Sequence, residues 1–118
     1  MNYDKNNIFA KILREEIPCK KIYENDYVLA FNDVNPQKKI HILLIPKGEY
    51  VNLDDFNNKA SDKEIVELNK ATTYVSNLLG AIEKGYRALT NIGIDGGQEV
   101  PHFHIHIFAG EKIGKMVS

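Results

Sequence analysis

The sequence predicts an α+β domain, a meander of about five strands with one long helix inserted into it. Three observations carry that reading. Apolar residues recur with period two, or on both parities, in several short runs bounded by turn residues. One stretch, from Ser61 to Ile82, instead places them at spacings of three and four. The strands do not alternate strictly with helices, as a parallel sheet would require. A chain of 118 residues has the commonest size of a single domain. Its 43% hydrophobic and 26% charged residues, with only 8 Gly and 4 Pro, are those of a folded globule rather than a fibrous or disordered chain. One domain is expected over residues 1–118, with its core in 7–110, a polar N-terminal segment 1–6 and a C-terminal segment 111–118.

The elements follow in chain order. Asn7 is placed to cap a short helix over Ile8–Leu13, whose apolar residues Ile8, Phe9, Ile12 and Leu13 share one stripe before Ile17-Pro18 stops it. Lys20–Tyr23 and Val28–Asn32 flank the turn-like Glu24-Asn25-Asp26 and read as a hairpin, which Asp33-Val34-Asn35-Pro36 ends. Ile40–Ile45 is apolar on both parities, the mark of a strand covered on both faces, so it should be central. Val51–Lys59 has too many Asn and Asp for a regular element and is expected to be a loop with a brief turn. Ser61 and Glu64 have capping-box spacing and open the long helix, on which Ile65, Leu68, Thr72, Val75, Leu78, Leu79 and Ile82 form the apolar stripe. Gly80 is its expected stop. Gly85–Asn91 and Val100–Phe108 read as the last two strands, joined through the flexible Gly93–Gly97 turn.

Composition excludes several functions. With 15 Lys+Arg against 16 Asp+Glu, the chain has no basic excess with which to hold polymeric nucleic acid or an anionic membrane surface. No apolar run approaches the roughly 18 residues of a membrane span. Cys19 is the single cysteine, so no intrachain disulfide forms; it is read as structural. The polar start Met1-Asn2-Tyr3-Asp4-Lys5 has no signal-peptide character, and a cytoplasmic protein is expected. Lys20-Lys21 and Lys38-Lys39 are short solvated charge pairs.

The chemistry is concentrated in the last strand. His102, His104 and His106 alternate with Phe103, Ile105 and Ile107. In extended backbone such residues share a face about 6.6 to 7 Å apart, so the imidazoles form a row, exposed or lining a cleft, while the apolar partners enter the core. An idle solvent face would be served equally well by Thr, Ser or Lys. Two functional readings remain. A row about 13 Å long cannot put all three rings on one metal, so a zinc site would need two neighbours and a ligand such as His41 or Asp33. A catalytic row needs only a central nucleophile or base flanked by groups that orient it and move protons, which makes His104 the reactive residue. Directly upstream, Asn91 to Val100 contains Gly93, Gly96 and Gly97, whose accessible N–H groups suit a phosphate even where Lys and Arg are scarce.

His102-Phe103-His104-Ile105-His106-Ile107-Phe108 resembles the His-x-His-x-His-x-x signature, x being hydrophobic, of the histidine triad (HIT) hydrolases and transferases. The chain is similar to the Hint branch in particular, through Ile8-Phe9-Ala10-Lys11-Ile12, Glu16-Ile17-Pro18, Ala30 to Gln37, His41 to Lys47 and Asp95-Gly96-Gly97-Gln98. This resemblance spans residues 7–110. It implies a HIT-like fold with a five-stranded antiparallel sheet, one long and one short helix, and a homodimer joining two sheets into ten strands.

It also implies a metal-independent, cofactor-free hydrolase that binds a purine, AMP-like nucleotide and cleaves nucleoside 5'-phosphoramidates. His104 would be the nucleophile, forming a nucleotidyl-histidine intermediate. The attacking nitrogen must be unprotonated while the other donates to a fixed acceptor, expected to be a backbone carbonyl of the same strand. The proton for the leaving amine could come from His102, His106 or His41, among which the sequence does not choose. Phosphate would rest on Asn91, His106 and the N–H groups of Gly97 and Val100, with Glu99 beside it. Asp33 would take the ribose hydroxyls next to Asn32, and Ile8, Phe9, Ile12, Phe31, Val34 and Leu43 would enclose the base.

Three positions depart from the pattern. Glu99 stands where close relatives commonly carry Ser or Thr; its carboxylate would repel phosphate and raise nearby histidine pKa values. Pro101 removes a backbone donor at the strand's start, with little expected effect. Glu111–Ser118 lacks the Trp of some tails, which leaves the leaving-group preference open. A dinucleoside polyphosphate hydrolase of the same family and a non-catalytic nucleotide-binding regulator are the alternatives, and a zinc module would show metal-dependent stability.

Overall fold

The computed structural model describes residues 2–116. Helix α1 (Ile8–Leu13) is capped as expected, the Asn7 side chain accepting from the Ala10 N–H. Strands β1 (Lys21–Glu24), β2 (Val28–Asn32) and β3 (Ile40–Pro46) form an antiparallel meander. Helices α2 (Leu53–Lys59) and α3 (Asp62–Leu78) follow, and strands β4 (Arg87–Leu89) and β5 (Ile105–Ala109) complete one five-stranded antiparallel sheet in the order β1-β2-β3-β5-β4. β3 is central, as its two apolar parities demand. Among the described residues, no helix is long and apolar enough to cross a membrane.

The two faces of β3 feed two cores. Ile42 and Leu44 join Val28, Ala30, Phe56, Leu68, Ala71, Val75, Phe103 and Ile107 beneath α3. Leu43 and Ile45 point the other way, into a smaller cluster with Phe9, Ile12, Leu29 and Phe31 beneath α1. The capping box of Ser61 and Glu64 opens α3. At its other end Gly80, at φ +70, donates to the Asn77 carbonyl while Ala81 donates to that of Ser76, the paired bonds of a Schellman stop. Of the predicted stripe, Leu68 and Val75 are buried, whereas Leu78 and Ile82 stay about half exposed.

Three expectations are corrected. Val51–Lys59 is not a loop, because the Asn and Asp residues work as helix-end chemistry. Asn52 accepts from the Asp55 N–H, Asp54 and Asp55 lie in the positive first turn of α2, and Phe56 anchors the helix in the core. The last strand begins at Ile105, not Val100. Pro101 has no N–H for a ladder, His102 donates to the Val100 carbonyl, and Phe103 donates to the Tyr50 carbonyl in a loop. The strand expected over Gly85–Asn91 shortens to Arg87–Leu89, since Gly85 is at φ +91 and Thr90 offers its hydroxyl, rather than a ladder bond, to the His104 carbonyl at 2.7 Å.

Candidate functional site

The period-two logic survives although only His106 of the three sits within β5. Phe103, Ile105 and Ile107 pack into the core beneath α3. The histidines take the opposite face, with α1. Leu43 pairs directly with His106 across the ladder, and the Phe9 ring meets His104 edge-on at 4.9 Å and His102 at 6.3 Å. His104 and His106 lie closer than bare strand spacing suggests, their centroids 5.0 Å apart, and His41 on β3 reaches within 5.2 Å of His106. The row is not uniformly open. His102 is fully buried, His104 and His41 are nearly so, and His106 is partly exposed.

Hydrogen bonds assign a tautomer to each ring. His104 Nδ1 lies 2.7 Å from the His102 carbonyl, an acceptor only, so the proton is on Nδ1 and Nε2 keeps its lone pair. That nitrogen makes no hydrogen bond among the described residues. His41 Nδ1 accepts from the Gln37 N–H at 3.1 Å, so His41 is protonated at Nε2 and donates to His106 Nδ1 at 2.9 Å. His106 in turn carries its proton on Nε2, at the ring edge away from His41. His102 Nε2 donates to the Pro46 carbonyl at 2.9 Å, and its Nδ1 accepts from the Tyr3 hydroxyl at 2.5 Å. Both of its nitrogens are occupied. The same holds for His41, so of the three candidate acids only His106 keeps a nitrogen, Nε2, without a partner among the described residues.

Burial pushes all four imidazoles below their ordinary value. His102 and His106 fall to about 4, with the neighbouring His104 adding to the burial effect on each. His104 is lowered by burial against the opposing pull of the His102 carbonyl, Asp33 and Glu99; His41 is lowered by burial against Asp33. The expected influence of Glu99 on a histidine is therefore present but outweighed by desolvation. At neutral pH the site holds neutral rings with directed donors and one free lone pair.

The other predicted residues divide. Asp33, partly exposed, brings Oδ2 within 3.4 Å of His41 Nε2. Phe9, Ile12, Phe31 and Leu43 form one buried cluster, with Val100 packed on it. Asn32 ends β2 opposite Ile42, and Asn91 is partly buried just beyond β4. Ile8 and Val34 do not share that enclosure, being 43% and 86% exposed. The Gly97 N–H, expected to face phosphate, closes its own turn onto the Ile94 carbonyl, whereas Val100 N–H has no acceptor among the described residues. Glu99 is exposed. Gln98 braces the turn, its amide donating to the Val51 and Val100 carbonyls and its oxygen accepting from Gly93 N–H.

Among the described residues, Asp33, His41 and His106 form the group that could hold a cation, with one ligand atom each within 4.8 Å of the others. His41 could ligate through Nε2 only by moving its proton to Nδ1, where the Gln37 N–H already points. The donor set therefore fits the hydrogen-bond chain better than a metal.

Three participants escaped the sequence reading. Gln37 acts through its backbone, four residues before His41, a local spacing within reach of a turn reading. Thr90 adjoins Asn91 but its target is strictly tertiary. Tyr3 lies 99 residues from His102, and nothing in a polar terminal segment signals the contact.

Comparison with known proteins gives consistent results. A HIT domain model matches residues 14–113. A 13.2 kDa HIT-like protein of Azospirillum brasilense is 55% identical over 116 residues, covering 98% of this chain and 95% of that protein. The purine nucleoside phosphoramidase of Escherichia coli K12 is 34% identical over 114 residues, covering 97% and 95%. A HIT family hydrolase from Clostridium thermocellum superposes with a TM-score of 0.88 at 36% identity, covering 98% of this chain and 99% of that one. A histidine triad protein from Clostridium difficile gives 0.84 at 42%, covering 98% of both.

Proposed function

This chain belongs to the HIT domain family, and from that premise we propose that it hydrolyses purine nucleoside 5'-phosphoramidates to nucleoside monophosphate and amine. The observation that carries the reading is the hydrogen bond from His104 Nδ1 to the His102 carbonyl, which leaves Nε2 unprotonated as a nucleophile. The similarity to a purine nucleoside phosphoramidase supports the choice of bond.

The Nε2 lone pair attacks phosphorus, and the bond from phosphorus to the amine nitrogen breaks. That nitrogen needs a proton to leave. His106 is the better acid than His102, whose two nitrogens are engaged, and the bound phosphate's negative charge opposes burial and favours a proton on His106. When His106 takes it on Nδ1, the His41 N–H turns to Asp33, whose carboxylate offsets the added charge. His106 passes its Nε2 proton to the amine, later takes one from water as that water attacks the nucleotidyl-histidine, and His104 departs with its lone pair restored. No metal or cofactor enters this scheme. Asp33 and Asn32 would serve the ribose, Phe9, Ile12, Phe31 and Leu43 the base, with Ile8 and Val34 at its rim. Asn91 and the free Val100 N–H would hold phosphate, and Glu99 would stand at the exit of the amine.

We place the protein in the cytoplasm as a homodimer. The half-exposed Val66, Tyr74, Leu78 and Ile82 on and just after α3, and the unpaired outer edge of β4, support a partner, and mass against concentration in sedimentation tests it.

The direct test is hydrolysis of a fluorogenic adenosine 5'-phosphoramidate by wild type and His104→Ala, each before and after addition of EDTA. Turnover by wild type alone is expected. Nucleotide binding without turnover by wild type would make the protein a binding regulator, loss of turnover on adding EDTA would make it a metalloenzyme, and an active His104→Ala would remove the nucleophile.

A further inference from the structure

The N-terminal segment is tied down before α1 begins. Asn7 donates through its amide to the Asp4 carbonyl at 2.7 Å, Asn6 N–H donates to Asp4 Oδ1 at 2.8 Å, and Arg14 Nη1 donates to the Lys5 carbonyl at 2.9 Å. This turn delivers Tyr3 to His102, ring edge to ring face at 5.6 Å. The roles in the bond between them are settled by the other side of the imidazole. His102 Nε2 faces the Pro46 carbonyl, which cannot donate, so Nε2 holds the proton, Nδ1 holds a lone pair, and the Tyr3 hydroxyl must be the donor. Burial raises the Tyr3 pKa, which keeps that proton in place.

Residue 102 thus has its ring pinned at two points, and its own carbonyl is the acceptor that orients His104. We propose that Tyr3 is a positioning residue of this site, its hydroxyl holding residue 102 so that the His102 carbonyl keeps His104 in the Nδ1–H tautomer. Removing the hydroxyl leaves a bare lone pair on a fully buried ring, a disfavoured state that the ring relieves by rotating. With the ring no longer held at both nitrogens, the backbone of residue 102 gains freedom, the bond from His104 Nδ1 to its carbonyl weakens, and the tautomer in which the attacking nitrogen is protonated is admitted. Phe9, packed on both rings from α1, transmits the same displacement.

The proposal rests on His104 as the nucleophile, and its test is chosen to be readable without turnover. Long-range 15N spectra of the imidazoles report which nitrogen of each ring is protonated. In wild type, His102 should show a hydrogen-bonded, unprotonated Nδ1 and His104 a single Nδ1–H tautomer; a proton on His102 Nδ1 overturns the proposal before any variant is made. In Tyr3→Phe, which keeps the ring, His104 should become a mixture of tautomers. The kcat for the phosphoramidate should fall about tenfold, the factor one lost hydrogen bond commands, with KM within about twofold. A His104 that remains one tautomer overturns the proposal, whatever happens to melting temperature or rate. If wild type shows no turnover, the phosphoramidase reading fails while the tautomer comparison still decides the role of Tyr3.

Discussion

His104 owes its free lone pair to a carbonyl two residues away, and its neutrality to burial, so two independent effects prepare the same atom. Glu99 works against the second. Its exposed carboxylate makes no ion pair among the described residues, yet its charge reaches His104 and would also meet an incoming phosphate. Glu99→Ser should raise kcat/KM for a phosphoramidate with an uncharged leaving group by roughly two- to tenfold at low salt, and the two proteins should converge as ionic strength rises. Equal rates at low salt would place the carboxylate outside the substrate's field. At this scale the sequence was informative wherever chemistry and spacing coincide. The histidine alternation announced both the site and the core residues between its members, and the carbonyl acceptor for His104 was foreseeable from the needs of a nucleophile. Tyr3 and Thr90 were invisible because their partners are set by the fold and not by chain distance. The base enclosure was only partly legible, since Phe9 and Val34 look equally apolar in a sequence but differ from 6% to 86% in exposure.

Among the elements, α2 shows how residue type misleads when position is unknown. Asn and Asp disfavour helix interiors but favour helix starts, and Asn52, Asp54 and Asp55 all fall where they stabilise one. Asn52→Ala should lower unfolding free energy by about 1 kcal/mol in urea titration. An unchanged midpoint would mean that the packing of Phe56 against Tyr50 and Phe103 holds α2 without its cap. The opposite error occurred before β5, where alternation from Val100 onward looked like ladder but reflects extended backbone bonded to a loop. Hydrophobic period reports which way side chains point; it does not report which backbone lies alongside. Where both signals agreed, at α1, β2 and β3, the elements lie within a residue or so of their expected limits, whereas α3 stops at Leu78 and leaves Leu79 and Ile82 of its expected stripe outside the helix.

For the molecule as a whole, four neutral imidazoles, three buried and one partly exposed, link stability to pH. The unfolded chain binds a proton on each near 6.5, whereas folded His102 and His106 wait until about 4, so between these values the unfolded state holds more protons and stability rises with pH. Acidification from pH 7 should therefore lose stability through that window, on the order of 3 kcal/mol for His102 alone by pH 4. Below it, lowered carboxylates such as Glu24 and Glu64 take over the decline. Unfolding free energies by urea at pH 7, 6 and 5 check the sign, and a flat profile would show that water reaches these rings. The five-stranded sheet and its central strand were legible from apolar parity.

The two cores on opposite sides of β3 have one more consequence. Ile42 and Leu44 answer to α3, while Leu43 and Ile45 answer to α1 and the histidines, with a sheet one residue thick between them. Change at Leu68, Ala71 or Val75 on α3 lies a sheet away from the imidazoles, whereas change at Phe9 on α1 touches His102 and His104 directly. Such a chain can adjust its robustness and its chemistry separately, so over evolutionary time its two sides should diverge at different rates.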